Sequence, residues 1–266
     1  IGVRLVGSEM CIRDRNEIVE LVKDYVHPET GKTYNVDKLE LKTDEGRGFG
    51  KAKFILKEGG TLGDLYTHAD LKRDINGNIL IDDSGNVTAI DNAGDIKLGS
   101  VLPKANLAWN NSFSYKGINA GFLLTARLGG IVYSATQAYL DLYGVSETSA
   151  AARDAGGVWV NGRSRVNPQS FYEVVASQSG LPTYYTYSAT NLRLQEAHIG
   201  YTIPRRWLGN VCDINVSLVG RNLWMIYCKA PFDPEAVATT NNYYQGIDYF
   251  MMPSTRNIGF NIKINF

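Results

Sequence analysis

The feature that most constrains this fold is an unbroken alternation of apolar and polar residues over the last eleven positions. Apolar side chains occupy every second position, at Ile258, Phe260, Ile262, Ile264 and Phe266. Polar residues or glycine lie between them. Because successive side chains of a β-strand point to opposite faces, this period of two predicts a strand with one apolar and one polar face.

The same alternation recurs in four upstream segments, 105–115, 118–129, 192–203 and 213–224, with Asn111 as an interruption. No run approaches the roughly 18 consecutive apolar residues of a transmembrane helix, whereas a spanning strand needs only about 9–11 alternating residues. We therefore predict an all-β fold, the C-terminal part of a transmembrane antiparallel β-barrel. About five or six strands should form an open curved sheet with an apolar band on its convex side.

The connections between these segments alternate between short and long. Lys116-Gly117 and residues 204–212 are short, whereas 130–191 and 225–255 are long. Outer-membrane barrels have short periplasmic turns and long extracellular loops, so this rhythm is typical of them. We expect residues 104–266 to hold the barrel strands with two long extracellular loops. Residues 16–103 should form the end of a strand and an extracellular loop that contains a small hairpin.

Residues 1–15 are set aside from the fold argument. The run Glu9-Met10-Cys11-Ile12-Arg13-Asp14 resembles the translated end sequence of a transposon used in DNA library preparation. Adapter scars of this kind carry no information about a fold. On this interpretation the lack of a signal peptide has no bearing on localisation.

Composition and motifs argue against several functional classes. The 27 basic residues balance 27 acidic ones, which is atypical of a nucleic-acid binder. Beyond the scar, Cys212 and Cys228 have no partner at metal-ligand spacing, so no metal site or disulfide framework is expected. Asp82-Asp83 and Asp233-Pro234-Glu235 are adjacent in sequence, whereas glycosidases need two opposed carboxyl groups. We expect neither an enzyme nor a cofactor.

One segment, Asp74-Ile75-Asn76-Gly77-Asn78, superficially resembles a calcium-binding loop. An EF-hand needs Gly at its sixth position and Glu at its twelfth. Here Gly77 stands at the fourth position and Gly85 at the twelfth, which favours a plain turn.

Transport residues are expected on the polar strand faces and in the longest link. The polar faces should line a water-filled lumen, through Asn119, Thr125, Arg127, Asn215, Asn261 and Lys263. The expected substrate contacts in the link are Trp159, Arg163, Tyr184 and Tyr185. The three aromatic rings can stack on sugars or peptide groups. An interfacial aromatic girdle with loop packing is the alternative explanation of the two tyrosines.

Several motifs resemble the SusC/RagA family of TonB-dependent outer-membrane transporters. They are Gly60-Thr61-Leu62-Gly63-Asp64-Leu65-Tyr66, Asn191-Leu192-Arg193-Leu194-Gln195-Glu196, Gly200-Tyr201-Thr202-Ile203-Pro204, Gly220-Arg221-Asn222-Leu223, Tyr227, Phe232-Asp233-Pro234-Glu235, Tyr244-Gln245-Gly246-Ile247-Asp248-Tyr249 and the run from Pro253 to Phe266. The resemblance covers most of residues 16–266 and implies the last quarter of a barrel of about 22 strands with an N-terminal plug.

The resemblance also implies a function and partners. It implies import of glycans or peptides across the outer membrane of a Gram-negative Bacteroidetes species. The implied partners are a SusD-like surface lipoprotein and TonB, which would act through an N-terminal part absent from this sequence.

The apolar last strand fits the signal by which outer-membrane barrels are recognised for insertion. Its residues are Phe260, Ile262, Ile264 and Phe266. The alternative fold and function is a secreted or surface β-sandwich that binds carbohydrate. A sandwich would bury the apolar strand faces between two sheets, so the exposure of those faces distinguishes the two.

Overall fold

The computed structural model describes residues 17–26, 28–41, 51–209, 211–237 and 245–265. In chain order its strands are β1 (Tyr25–Val26), β2 (Thr33–Tyr34), β3 (Lys38–Leu41), β4 (Ala52–Lys57), β5 (Asp64–Thr67), β6 (Asp70–Leu71), β7 (Ala89–Ile90), β8 (Ile96–Ser100), β9 (Ala105–Tyr115), β10 (Ile118–Leu128), β11 (Ile131–Ser134), β12 (Val158–Val160), β13 (Ser164–Val166), β14 (Thr186–Ser188), β15 (Asn191–Ile203), β16 (Asp213–Cys228), β17 (Ile247–Asp248) and β18 (Asn257–Asn265). The helices are α1 (Ala135–Leu142), α2 (Glu147–Asp154) and α3 (Pro168–Val175), with 3₁₀ turns at Ser177–Ser179 and Arg205–Trp207. Among these residues, no helix combines the length and apolar character that a membrane crossing requires.

The five long strands form one antiparallel sheet in the order β18-β16-β15-β10-β9. They coincide with the five alternating segments of the sequence. The β9–β10 hairpin closes through Lys116 and Gly117, which both have positive φ, of 47° and 88°. Two positive φ values define the type I′ turn, whose twist matches that of the flanking strands.

The sheet is open within the described part of the chain. Strands β9 and β18 lie at opposite ends of the strand order and do not pair with each other. The expected all-β fold with an open antiparallel sheet is therefore confirmed.

The hydrophobic core lies beyond one end of this sheet. Because neighbouring strands of the sheet are antiparallel, all the long links lie at the same end of it, where β9 begins and β10 ends. There the sheets β3-β4-β5-β8 and β14-β11-β17 and the helices enclose a buried cluster. The largest fully buried side chains of this cluster include Phe54, Leu65, Tyr133, Leu181 and Ile247. We call this part the outer layer.

The link between β10 and β15 is folded into helices and short strands rather than being an open loop. Each helix begins at a side-chain cap. Ser134 accepts from the Gln137 N–H at 3.0 Å, Ser146 from the Ser149 N–H at 3.0 Å, and Asn167 from the Gln169 N–H at 2.9 Å. Ser and Asn are favoured at these positions because they satisfy N–H groups that have no partner within the helix.

The link after β16 docks onto the same layer. Its short strand β17 pairs in parallel with β11, so that Ile247 lies beside Tyr133 and Asp248 beside Ser134. The buried Asp248 carboxylate accepts a hydrogen bond of 2.6 Å from the Ser134 hydroxyl. Two links that are more than a hundred residues apart in sequence are thereby joined at the start of α1.

The segment from Arg73 to Val87 forms two consecutive turns with the same sequence pattern. Asp74 and Asp82 each begin an Asp-x-x-Gly-Asn turn and accept from the backbone N–H groups two and four positions later, at 2.8–2.9 Å. Bridges Arg73–Ile79 and Ile81–Val87 flank them. The Asp74 carboxylate also accepts from the Asn78 amide at 3.1 Å, so its oxygens serve the turn.

Candidate functional site

The apolar face of the five-stranded sheet is continuous across all five strands. The strand register places Phe113, Ala120, Ile199, Leu218 and Phe260 side by side in one row. A neighbouring row runs through Tyr115, Ile118, Tyr201, Val216 and Ile262. The exposed fractions of Ile199, Leu218 and Phe260 are 58%, 54% and 78%. No second sheet covers this face in the described residues, and a contiguous exposed apolar surface of this kind marks a membrane or protein contact.

The opposite face carries polar residues in matching rows. Ser114, Asn119, Gly200, Ser217 and Asn261 form one such row. Asn119 and Asn215 both donate to the Thr202 hydroxyl, at 3.0 and 2.8 Å, and Ser114 donates to Asn119 at 3.0 Å. These bonds link polar side chains across four strands near the short-link end.

All six residues expected to line a lumen lie on this polar face. They are Asn119, Thr125, Arg127, Asn215, Asn261 and Lys263. Arg127 lies at the long-link end, where it donates to the Val101 carbonyl at 2.8 Å. Its buried Nε has no hydrogen-bond partner among the described residues.

A buried ion pair connects the polar face to the link after β16. Arg193 of β15 is 4% exposed and donates to both oxygens of Asp233, at 2.7 and 3.2 Å. Glu235 lies 3.3 Å from the same guanidinium and also accepts from the Asn191 amide at 3.2 Å. Such bidentate Arg–carboxylate bonds are both strong and geometrically specific. We call Arg193, Asp233, Glu235 and Asn191 the latch.

The Asp233 carboxyl is held in its charged form by this geometry. Burial raises its pKa, but hydrogen bonds from Arg193, Ser254 and the Glu235 N–H lower it further than burial raises it. The net result is a pKa below the ordinary value of an aspartate.

Two of the expected substrate contacts lie together on the β12–β13 hairpin. Trp159 is 56% exposed, and the Arg165 guanidinium lies over one face of its ring, 4.5 Å from the centroid. Arg163 lines a cavity of about 440 Å³ between this hairpin and the turn that begins at Asp74. Asn161 holds the two sides together, because its amide bonds both the N–H and the carbonyl of Ile79, at 2.9 and 2.8 Å.

The two expected tyrosine contacts lie elsewhere, within the outer layer. Tyr185 is 2% exposed and donates to Asp141 at 3.0 Å, and burial raises its pKa. Tyr184 is partly buried with its ring edge-on to Phe171, and burial raises its pKa too. In this arrangement both rings pack in or against the core, and Tyr185 presents no surface to a ligand.

Three of the four residues of the expected assembly signal lie on the edge strand β18. Phe260, Ile262 and Ile264 are all exposed on the apolar face. Phe266 lies outside the described residues.

The latch and the helix caps were not anticipated from the sequence. Asn191, Arg193, Asp233 and Glu235 occur within motifs noted above, but their pairing spans about forty residues and leaves no periodic signal. In the part of the chain that the structure describes, no group of three or more His, Cys, Asp or Glu could hold a metal ion.

Comparison with known proteins gives a consistent result. No protein-family model matches the chain. It is 24% identical to the TonB-dependent receptor P3 of Formosa agariphila, over 85% of this chain and 24% of that protein. It resembles a structure of the RagAB peptide transporter with a TM-score of 0.57 and 17% identity, over 89% of this chain and 26% of that one. A structure of the RagAB peptide importer in the "closed-closed" state gives a TM-score of 0.51 and 14% identity, over 86% and 28%.

The resemblance to SusC/RagA-type TonB-dependent transporters is confirmed. The expected fold class, part of a transmembrane antiparallel β-barrel that is not closed in this segment, is confirmed with it. The chain spans about a quarter of the length of the proteins that it matches.

The latch gives a testable stability difference. We expect Arg193→Met to destabilise the protein by about 3–5 kcal/mol, because it leaves the Asp233 carboxylate buried and unpaired. The matched control is Arg221→Met, which removes an ion pair with Glu196 from an arginine side chain that is 68% exposed. That change should cost less than about 1 kcal/mol. Denaturant unfolding measures both, and equal costs would contradict the structural role of the latch.

The latch should also be sensitive to acid. Because the pKa of Asp233 is lowered in the folded state, its contribution is complete above its unfolded pKa and is lost as the pH falls through the folded one. The cost of Asp233→Asn should be full at pH 7 and shrink below about pH 4. A cost that stays constant down to pH 2 would show that the charge of Asp233 is not what stabilises the fold.

Proposed function

We propose that this chain is part of an outer-membrane importer of glycans or peptides. Its five-stranded sheet, which we call the wall, forms part of the barrel, and its outer layer lies at one end of that barrel. The observation that carries the proposal is the exposed apolar face of the five-stranded sheet, which lies opposite a polar face. Spanning barrels have this division, with apolar residues toward lipid and polar residues toward the lumen. The names of the relatives, a TonB-dependent receptor and a peptide transporter, support the same function.

The open edges of the sheet fit this proposal. Within lipid every backbone N–H and C=O needs a partner inside the protein. Strands β9 and β18 each leave one edge unpaired in the described residues. In the intact importer, further strands of the same barrel would pair with both edges.

The position of the polar groups on one face of the sheet supports transport rather than catalysis. The six polar-face residues, from Asn119 to Lys263, would keep the lumen wet. The latch would hold the link after β16 against the wall at the long-link end. There the folded outer layer offers a surface for a SusD-like lipoprotein, while TonB would act through a part of the protein outside this chain.

Substrate contact is proposed for Trp159 and Arg163. Both are exposed on a hairpin that is fixed to the neighbouring turn by Asn161. One face of the Trp159 ring is occupied by Arg165, which leaves the other face for a sugar ring or a peptide plane. Rigid presentation of an aromatic ring lowers the entropy cost of binding.

The lipid contact of the apolar face is tested by two adjacent substitutions. We expect Leu218→Lys in the intact transporter to reduce its level in the outer membrane, since a lysine facing lipid costs about 2–4 kcal/mol near the midplane. Ser217→Lys, one position earlier on the polar face, should leave that level unchanged. Fractionation and heat-modifiable migration in gels measure the outcome. Recovery of the unaltered protein in the soluble fraction, or equal levels for the two variants, would contradict the proposal.

The role of Trp159 is tested by uptake. Cells carrying the intact transporter are first given labelled oligosaccharides and peptides to find what the wild type imports. Trp159→Ala should then lower uptake at sub-saturating concentration about tenfold, equivalent to about 1.4 kcal/mol of binding. The control is Trp207→Ala, which removes an exposed tryptophan from the short link at the other end of the sheet. Unchanged uptake by Trp159→Ala, or an equal loss in the control, would refute the assignment.

A further inference from the structure

A second cavity lies among the three helices of the outer layer. Its volume is about 340 Å³, and it is bounded by the end of α1, by α2 and by the first turns of α3. This volume corresponds to roughly eleven waters at about 30 Å³ each and is near the lower end for small-molecule sites. It therefore suits a single substituted ring rather than a length of polymer.

The α2 side of the cavity presents an unpaired cation. Arg153 lines it and makes no ion pair with any described carboxylate. Its Nη1 lies 2.8 Å from the point where a β-carbon on Gly144 would stand, so the guanidinium lies at the Gly144 end of the cavity. A guanidinium with free donors matches the planar, bidentate geometry of a carboxylate or sulfate.

The α3 side presents acceptors beside an aromatic ring. Gln169 and Glu173 lie one helical turn apart, and the Gln169 amide donates to one Glu173 oxygen at 2.9 Å. The second carboxylate oxygen of Glu173 and the side-chain amide oxygen of Gln169 accept no hydrogen bond from the described residues. Tyr172 lies between them in sequence and also lines the cavity, with its ring braced edge-on by Phe171.

The Asp141 carboxylate forms the floor of the cavity and is held in place by four hydrogen-bond donors. Asp141 is buried and accepts from Ser146, from Thr148 at 2.8 Å, from Tyr185 at 3.0 Å and from Gln137 at 3.3 Å. The hydroxyl donors come from the link before α2, from α2 and from the chain before β14. This network fixes α1 and the start of α2 relative to each other without using Arg153, Gln169 or Glu173.

We propose that this cavity binds one sugar residue that carries a single anionic group, either a carboxylate or a sulfate. Arg153 takes the anionic group, the Glu173 and Gln169 oxygens accept from neighbouring ring hydroxyls, and Tyr172 packs against the ring. A peptide carboxyl end satisfies Arg153 but offers one N–H close by, whereas a sugar offers adjacent hydroxyl donors to both acceptors. A neutral sugar leaves Arg153 without a counter-charge. The site does not depend on transport, because it lies wholly within the outer layer.

Binding to the purified intact protein in detergent tests the proposal. The probes are methyl β-D-glucuronide, the 6-sulfate of methyl β-D-glucoside, and neutral methyl β-D-glucoside, each titrated by calorimetry. At least one anionic probe should bind ten or more times more tightly than the neutral one. Arg153→Gln should remove this preference, and Glu173→Ala should weaken binding of the preferred anionic probe and of the neutral glycoside alike.

The controls separate the site from general charge and from misfolding. Arg206→Gln removes an exposed arginine at the short-link end and should leave binding of all three probes unchanged. Circular dichroism of each variant checks that the fold is retained. Equal binding of neutral and anionic sugars, or no binding at millimolar concentration, would overturn the proposal. So would tighter binding of acetyl-dialanine than of either anionic sugar. A preference for the anionic sugar that survives in folded Arg153→Gln would overturn it as well. Because uptake plays no part in this measurement, its result is separate from that of the proposed importer function.

Discussion

The rest of the structure depends on one constraint: no described part of the chain covers the apolar face that extends over five strands. Burial of an aliphatic or aromatic side chain contributes about 1.5–3 kcal/mol relative to exposure to water. More than ten large apolar side chains lie exposed on this face in the described residues. The face is therefore stable against a hydrocarbon environment and unfavourable in water.

The outer layer obeys the opposite rule and is stabilised like a water-soluble domain. Its core is closed by helices with side-chain caps, by the Asp141 network and by the Asp248–Ser134 bond. The latch joins the five-stranded sheet to the outer layer, because Arg193 lies on β15 whereas Asp233 and Glu235 lie in the link after β16. Burying this ion pair is favourable only with its full set of hydrogen bonds, which fixes the orientation of the link on the wall.

Sequence periodicity predicted the wall well and the outer layer poorly. Period-two alternation identified all five long strands, and Lys116-Gly117 identified the tight hairpin, because both signals are local. The helices of the long link were missed. Each is eight residues long, and the Ser134, Ser146 and Asn167 caps were not recognised as starts.

Among the candidate site residues, those defined by strand parity were placed on the expected face. Those defined by residue type alone were divided between two locations. Trp159 and Arg163 lie on an exposed hairpin, whereas Tyr184 and Tyr185 pack in or against the core. The presence of a tyrosine in a link does not indicate whether its ring faces solvent or the core. That distinction depends on contacts such as Tyr185–Asp141, which are distant in sequence and have no periodic signature.

The central claim, that the apolar face contacts lipid and the polar face contacts water, is tested most directly by spin labelling along β16. Nitroxide labels placed singly at positions 214 to 219 of the intact protein in bilayers report collision with oxygen, which partitions into lipid, and with a water-soluble nickel chelate. The account predicts high oxygen collision at 214, 216 and 218 and high nickel collision at 215, 217 and 219. Loss of this two-residue alternation, or its reversal, would contradict it.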